Sequence, residues 1–120
     1  MTAVRYDLLI EQGATFTLTF EWREDDGSSP PAGPLIDTSG YDARMQIKTR
    51  PGGAVLITLS EGAGITVAGG IISVRIGADV TATLAKSGAY DLELHSVTDP
   101  TEVIRLARGL VVLSKEVTTA

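Results

Sequence analysis

His95 is the only histidine of this 120-residue chain, and two carboxylates, Asp91 and Glu93, precede it at alternate positions. An imidazole beside a carboxylate is the core of a general acid–base device, in which the ring takes a proton from a nucleophile and the acid orients the ring. Residues two apart in an extended chain share a face, so the three side chains project together if the segment is a strand. The constellation stops there. No Gly-x-Ser-x-Gly elbow supplies a nucleophile, cysteine is absent, and one histidine excludes a multi-histidine metal centre. Such a row is also what a solvated strand face carries, and we read it so. Asp25-Asp26-Gly27 offers oxygen ligands but lacks the alternating ligands and distant glutamate of an EF-hand loop. Asp-Gly is ordinary turn chemistry. Gly62-Ala63-Gly64 and Gly69-Gly70 lead neither into a helix nor into Gly-Lys-Ser/Thr, so they are not phosphate cradles and read as hairpin turns. No catalytic, cofactor or metal site is expected.

The elements that carry these residues have a period of two. Residues 15–22 read Thr-Phe-Thr-Leu-Thr-Phe-Glu-Trp, which puts Phe16, Leu18, Phe20 and Trp22 on one face and threonines on the other. The same rule places Tyr41, Ala43, Met45 and Ile47 inward, then Val55, Ile57 and Leu59, then Ile72, Val74 and Ile76, then Tyr90, Leu92 and Leu94. Turn signals separate the runs: Arg50-Pro51-Gly52-Gly53, Ala68-Gly69-Gly70 and Asp99-Pro100. Residues 79–85 break the period. Val80 and Leu84 lie four apart, with Asp79 as N-cap and Gly88 as a stop, so we expect a helical turn whose Leu84 plugs the core. In the last strand Ile104 and Leu106 have one parity, Val111 and Leu113 the other; either a β-bulge at Arg108-Gly109 or a change of sheet reconciles them. Residues 24–34 hold Pro30, Pro31 and Pro34 and cannot be a central strand. A loop of that length is either functional or a tolerated insertion.

Tyr90 opens its strand after the turn at Gly88, two residues before the inward Leu92. Immunoglobulin-type sandwiches place a tyrosine at this corner, two residues before a core position that is cysteine in antibody domains. Here that position is leucine. The expectation is an all-β chain: one immunoglobulin-like antiparallel β-sandwich of about seven to eight strands with one short helical turn, spanning residues 1–120.

Composition bounds what such a domain can do. Hydrophobic residues make up 43% and charged residues 21%, enough to fold around one core without disulfides. Zero cysteine fits manufacture in a reducing cytoplasm. No apolar run approaches the roughly 20 residues of a membrane span, and Met1-Thr2-Ala3-Val4-Arg5-Tyr6-Asp7 is not a signal-peptide start. Net charge is −5. Phosphate neutralisation drives nucleic-acid binding, so neither nucleic acid nor membrane is an expected partner. Of the six aromatics, Phe16, Phe20, Trp22 and Tyr41 face inward and Tyr90 sits at the corner. Only Tyr6 is left for a sugar-stacking or base-stacking platform.

Several segments together resemble a known group. They are Tyr6-Asp7-Leu8, then residues 11–20 (Glu-Gln-Gly-Ala-Thr-Phe-Thr-Leu-Thr-Phe), residues 38–48 beginning Thr-Ser-Gly-Tyr, residues 90–94 and a Val-rich final strand. This is similar to small immunoglobulin-like structural proteins of tailed bacteriophages, including the N-terminal domain of baseplate upper proteins. In those, Gln-Gly and Phe-x-Leu-x-Phe precede a Gly-Tyr/Ala-x-Ala/Val-x-Met/Phe strand. The resemblance implies a non-enzymatic virion component, made in the host cytoplasm and acting as a tail, neck or baseplate adaptor. Its partners would be other virion proteins, with the chain present as a homo-oligomer or in symmetric copies. A head decoration protein is the first alternative, and a carbohydrate- or host-surface-binding sandwich the second. The lengthened loop at residues 29–34, and the absence of a fibre or receptor-binding domain before Ala120, depart from the baseplate arm and leave a stand-alone capsid or neck role open. Two surfaces are the expected interfaces: the proline loop (Pro30, Pro31, Pro34), and the termini (Val4, Arg5, Tyr6 with Lys115, Glu116, Val117), which can pair with a neighbour.

Overall fold

The computed structural model describes residues 4–28 and 32–117. Nine strands and one helical turn follow in order: β1 (Val4–Arg5), β2 (Leu8–Glu11), β3 (Phe16–Glu21), β4 (Tyr41–Lys48), β5 (Val55–Glu61), β6 (Gly64–Ala68), β7 (Ile71–Ile76), α1 (Ala78–Thr81), β8 (Gly88–Ser96) and β9 (Val103–Ser114). The lateral order is β1-β9-β8-β4-β5-β6-β7-β3, with β2 also on β9. β5 and β6 touch through only two parallel pairs, Ser60↔Gly64 and Glu61↔Ile65. There the chain steps from one layer to the other. A five-element layer (β1/β2, β9, β8, β4, β5) thus faces a three-stranded one (β6, β7, β3).

The alternating pattern produces the core directly. Ile10, Ala43, Met45, Ile47, Ile72, Val74, Ile76, Leu92 and Leu94 are buried between the layers, while Arg44, Ser73 and Arg75 on the same strands are exposed. Gly69 and Gly70 have φ of 58° and 83° and close the β6–β7 hairpin, the two-residue turn whose twist matches the strands it joins.

The structure alters five local expectations. Gly62-Ala63-Gly64 is not a hairpin but the step between layers. Val55 is half-exposed and Leu56 packs on the core instead. The cause is a bulge: Ile47 pairs with Ile57, but Lys48 pairs with Val55. In β9 the bulge expected at Arg108-Gly109 lies earlier. Leu92 pairs with Ala107 and Glu93 with Arg105, so Leu106 is the extra residue. Leu106 and Ala107 are both buried, and the parity change lets Val111 face the core as well. The helical turn is capped by Gly77 without a side-chain bond, and Asp79 lies inside its first turn. Gly88 does not stop the helix. It opens β8, where a β-carbon would lie 2.1 Å from the Lys48 carbonyl oxygen. Leu84 does plug the core, 2% exposed.

The fifth change concerns direction and Tyr90. β1 and β2 run parallel to β9, with Val4↔Ala107 and Leu8↔Val111. Between them the strand is interrupted at Tyr6-Asp7 without a change of register, and Tyr90 fastens the interruption. Its hydroxyl donates to the Tyr6 carbonyl, 84 positions back in sequence. A tyrosine corner closes on backbone a few residues upstream; this tyrosine instead fastens the N-terminal strand. The Tyr6 amide donates to the Arg108 carbonyl at 2.9 Å, and the Asp7 carboxylate accepts from the Leu110 amide at 2.9 Å.

Candidate interaction surface

Strand register decides which charges meet. Cross-strand partners share a face. In β8–β9, Asp91 pairs with Arg108 and Glu93 with Arg105. In β4–β8, Asp42 pairs with His95, Arg44 with Glu93 and Gln46 with Asp91. In β1–β9, Arg5 pairs with Arg108. The outer face of the larger layer therefore gathers Arg5, Arg44, Lys48, Arg105 and Arg108, five of the ten cations. Against them stand Asp7, Glu11, Asp42, Asp91 and Glu93, five of the fifteen acids. The sum on this face is 5 − 5 = 0, whereas the whole chain carries −5. Along the chain only Arg44, Lys48 and Arg50 lie close together. Arg105 and Arg108 join them by pairing with β8, which in turn pairs with β4, and Arg5 joins them by pairing with Arg108; no local signal reveals that.

His95 sits in this face with its Nε2 3.1 Å from Glu93 Oε1. The Ser96 hydroxyl accepts from the Thr98 and Asp99 amides at 3.3 and 3.1 Å, which commits it to the turn. Among the described residues no group of three or more acidic or histidine side chains could hold a metal ion. Asp25 and Asp26 accept from the Gly27 and Ser28 amides, each at 2.9 Å. That is turn chemistry, and the amide bonds hold the Asp26 carboxyl below its ordinary value.

The Asp91 carboxyl is pushed upward, first by burial and then by Glu93, against Arg105 and Lys48. A raised value means that the folded state takes up this proton more readily than the unfolded chain. Ionised Asp91 then opposes folding above its folded pKa, and the penalty disappears as pH falls below the ordinary carboxylate value. Asp91→Asn should therefore raise the thermal midpoint slightly at neutral pH, and the gap to wild type should close on acidification. Thermal unfolding across that pH range checks this. A lower midpoint for the variant at neutral pH would show that the 3.6 Å pair with Arg105 outweighs burial.

The sequence-predicted interface residues scatter. Pro30 and Pro31 lie outside the described residues. Pro34 is exposed, but its carbonyl accepts from the Glu24 amide at 2.9 Å, and Arg23 bridges to Leu35. The end of the loop is thus laced to the end of β3. Val4 and Arg5 form β1, and Tyr6 lies edge-on to Phe20 at 5.9 Å. Lys115, Glu116 and Val117 follow Ser114, which is opposite Glu11. They are therefore most of a strand length from Val4, and the two termini do not form one surface. Glu116 is tied back through its amide to Gln12 Oε1 at 2.9 Å, while Val117 is almost fully exposed.

No curated protein matches the chain. A family model, LtfC-like beta-sandwich domain, matches residues 2–114. That span takes in every strand of both layers and the charged outer face, so the chain belongs to the LtfC-like β-sandwich family, a phage-associated group.

Proposed function

We propose that this protein is a non-enzymatic structural component of a bacteriophage virion, an adaptor in tail, neck or baseplate assembly. The observation that carries the proposal is the family match over residues 2–114. The chemistry agrees with it. Asp42, Asp91, Glu93 and His95 of the large face are engaged with each other and with arginines, an arrangement suited to protein contacts that charge orders and register specifies. Its partners are other virion proteins, met by repeated copies of the chain.

Cryo-electron microscopy of particles of the encoding phage, with mass spectrometry of the same particles, tests this. Density for the sandwich at the tail, neck or baseplate in a fixed symmetric copy number is expected. Density on hexons or three-fold positions of the capsid would instead make it a head decoration protein. Its absence from purified particles would overturn the virion assignment.

A further inference from the structure

Strand β3 is hydrogen-bonded on one side only among the described residues: it pairs with β7 and ends the lateral order. The Trp22 amide donates to the Gly70 carbonyl at 2.7 Å on the β7 side. Main-chain groups of alternate residues point to opposite edges. Phe16, Leu18 and Phe20 therefore turn their amides and carbonyls toward β7, and Thr17, Thr19 and Glu21 turn theirs away. Burial records the same vacancy. Ile72, Val74 and Ile76 on β7 are at most 2% exposed, while their partners Phe16, Leu18 and Phe20 are only half-buried. Beside the free edge runs an open groove of about 670 Å³ whose apolar lining includes Val4, Tyr6, Leu18, Phe20, Trp22 and Leu106.

Natural edge strands are guarded by charges, prolines or bulges. Residues 15–20 contain no charge, no proline and no glycine. Their order is also close to a palindrome: Thr15-Phe16-Thr17-Leu18-Thr19-Phe20-Glu21 reads the same in both directions about Leu18 except at its ends. We propose that β3 is a self-pairing edge, on which a second copy of this chain lays its own β3 antiparallel across a two-fold axis at Leu18.

In that register Thr17 faces Thr19 of the second copy and Phe16 faces its Phe20, with the two Leu18 side chains meeting on the axis. Thr–Thr and aromatic–aromatic pairs are among the favourable cross-strand combinations, and no like charges oppose each other. The outward main-chain groups of Thr17 and Thr19 exchange bonds across the axis, which only this parity of register permits. Glu21 and Arg23 at the strand end are already paired with each other. A two-fold contact of this kind is isologous and closes on itself, so it yields a pair and not a fibre. The contact is small beside a standard interface, so dissociation in the micromolar range is expected. The pairing does not depend on the virion assignment.

Sedimentation of the full chain over a concentration series tests it. Wild type should pass from monomer to dimer. Thr17→Lys combined with Thr19→Lys puts lysines opposite lysines and should weaken the dimer by about tenfold or more, with circular dichroism reporting an intact fold. Thr17→Val with Thr19→Val should keep the dimer. The chain has no cysteine, so register can be read by oxidation. A mixture of Thr17→Cys and Thr19→Cys chains should form a disulfide dimer. Neither alone should, because like positions then lie beyond the roughly 7 Å that a disulfide tolerates. A wild type that stays monomeric, a dimer indifferent to the lysines, or equal cross-linking by one cysteine variant alone would each overturn the proposal. Monomeric wild type that binds a strand from another virion protein would assign the edge to that partner instead.

Discussion

Gly109→Ala should lower stability by about 3 kcal/mol, the upper end of what an added methyl costs in a closely packed site. Its midpoint should fall by roughly 10 °C. Gly109 pairs with Tyr90 in the β8–β9 ladder. A β-carbon there would lie 2.4 Å from the Tyr6 carbonyl oxygen and 2.8 Å from the Asp7 carboxylate. Both are fixed, the first by the Tyr90 hydroxyl and the second by the Leu110 amide, so neither can yield without a bond breaking. The glycine is needed here for close approach and not for its backbone angle. Tyr90→Phe tests the same fastening from the other side. It leaves the Tyr6 carbonyl without its donor and should cost about 1–2 kcal/mol. The Tyr90 hydroxyl keeps its proton throughout the ordinary pH range, because burial and then the nearby Asp7 carboxylate raise its pKa. Hydrogen exchange locates the damage. Amides of Tyr6 and Leu8 should exchange faster in both variants while those of β4 stay protected. An unchanged midpoint for Gly109→Ala would show that β1 shifts freely and the fastening contributes nothing.

Thr81→Val should cost about 3 kcal/mol although it changes almost no volume. Thr81 is fully buried. Its hydroxyl donates to the Ala14 carbonyl at 2.8 Å and accepts from the Gly13 amide at 3.1 Å. One side chain thereby stitches α1 to the β2–β3 turn across 67 positions. Valine removes the partner of both main-chain groups at once, and an unsatisfied buried group costs about 1–3 kcal/mol. Thr81→Ser keeps the hydroxyl and loses one methyl, so it should cost about 1 kcal/mol. Equilibrium denaturation of the three chains separates the two effects. Equal losses for valine and serine would mean that packing, and not hydrogen bonding, holds the turn.

The strands were legible because a half-buried strand must alternate, and residues 43–48 and 72–76 do so both in residue type and in burial. The Gly69-Gly70 turn was legible because two positive φ angles in succession admit little but glycine. Bulges were harder. Leu56 and Leu106 each shift a register by one residue, and that shift depends on how the partner strand fits, not on the residue itself. The N-cap was misplaced because Asp79 is a good cap by type, yet the chain leaves β7 at Gly77 and turns there. The Gln12-Gly13 pair was legible only as part of a resemblance. Its reason is tertiary: the Gln12 amide donates to the Leu84 carbonyl at 2.7 Å, and its oxygen accepts from Glu116.

By itself the sequence determined the β-sandwich, its inward residues and the poverty of reactive groups, because these follow from period, turn chemistry and residue inventory. Only the tertiary structure decided what the surfaces are. It laid β1 and β2 on β9 and, among the described residues, left the edge of β3 open. It brought Arg5, Arg105 and Arg108 beside Arg44 and Lys48, and it turned Tyr90 from a local corner into the fastening of the N-terminal strand. Each of these rests on which strand lies beside which. That choice is made by packing energies summed over the whole core, so it leaves no mark in any single stretch of chain.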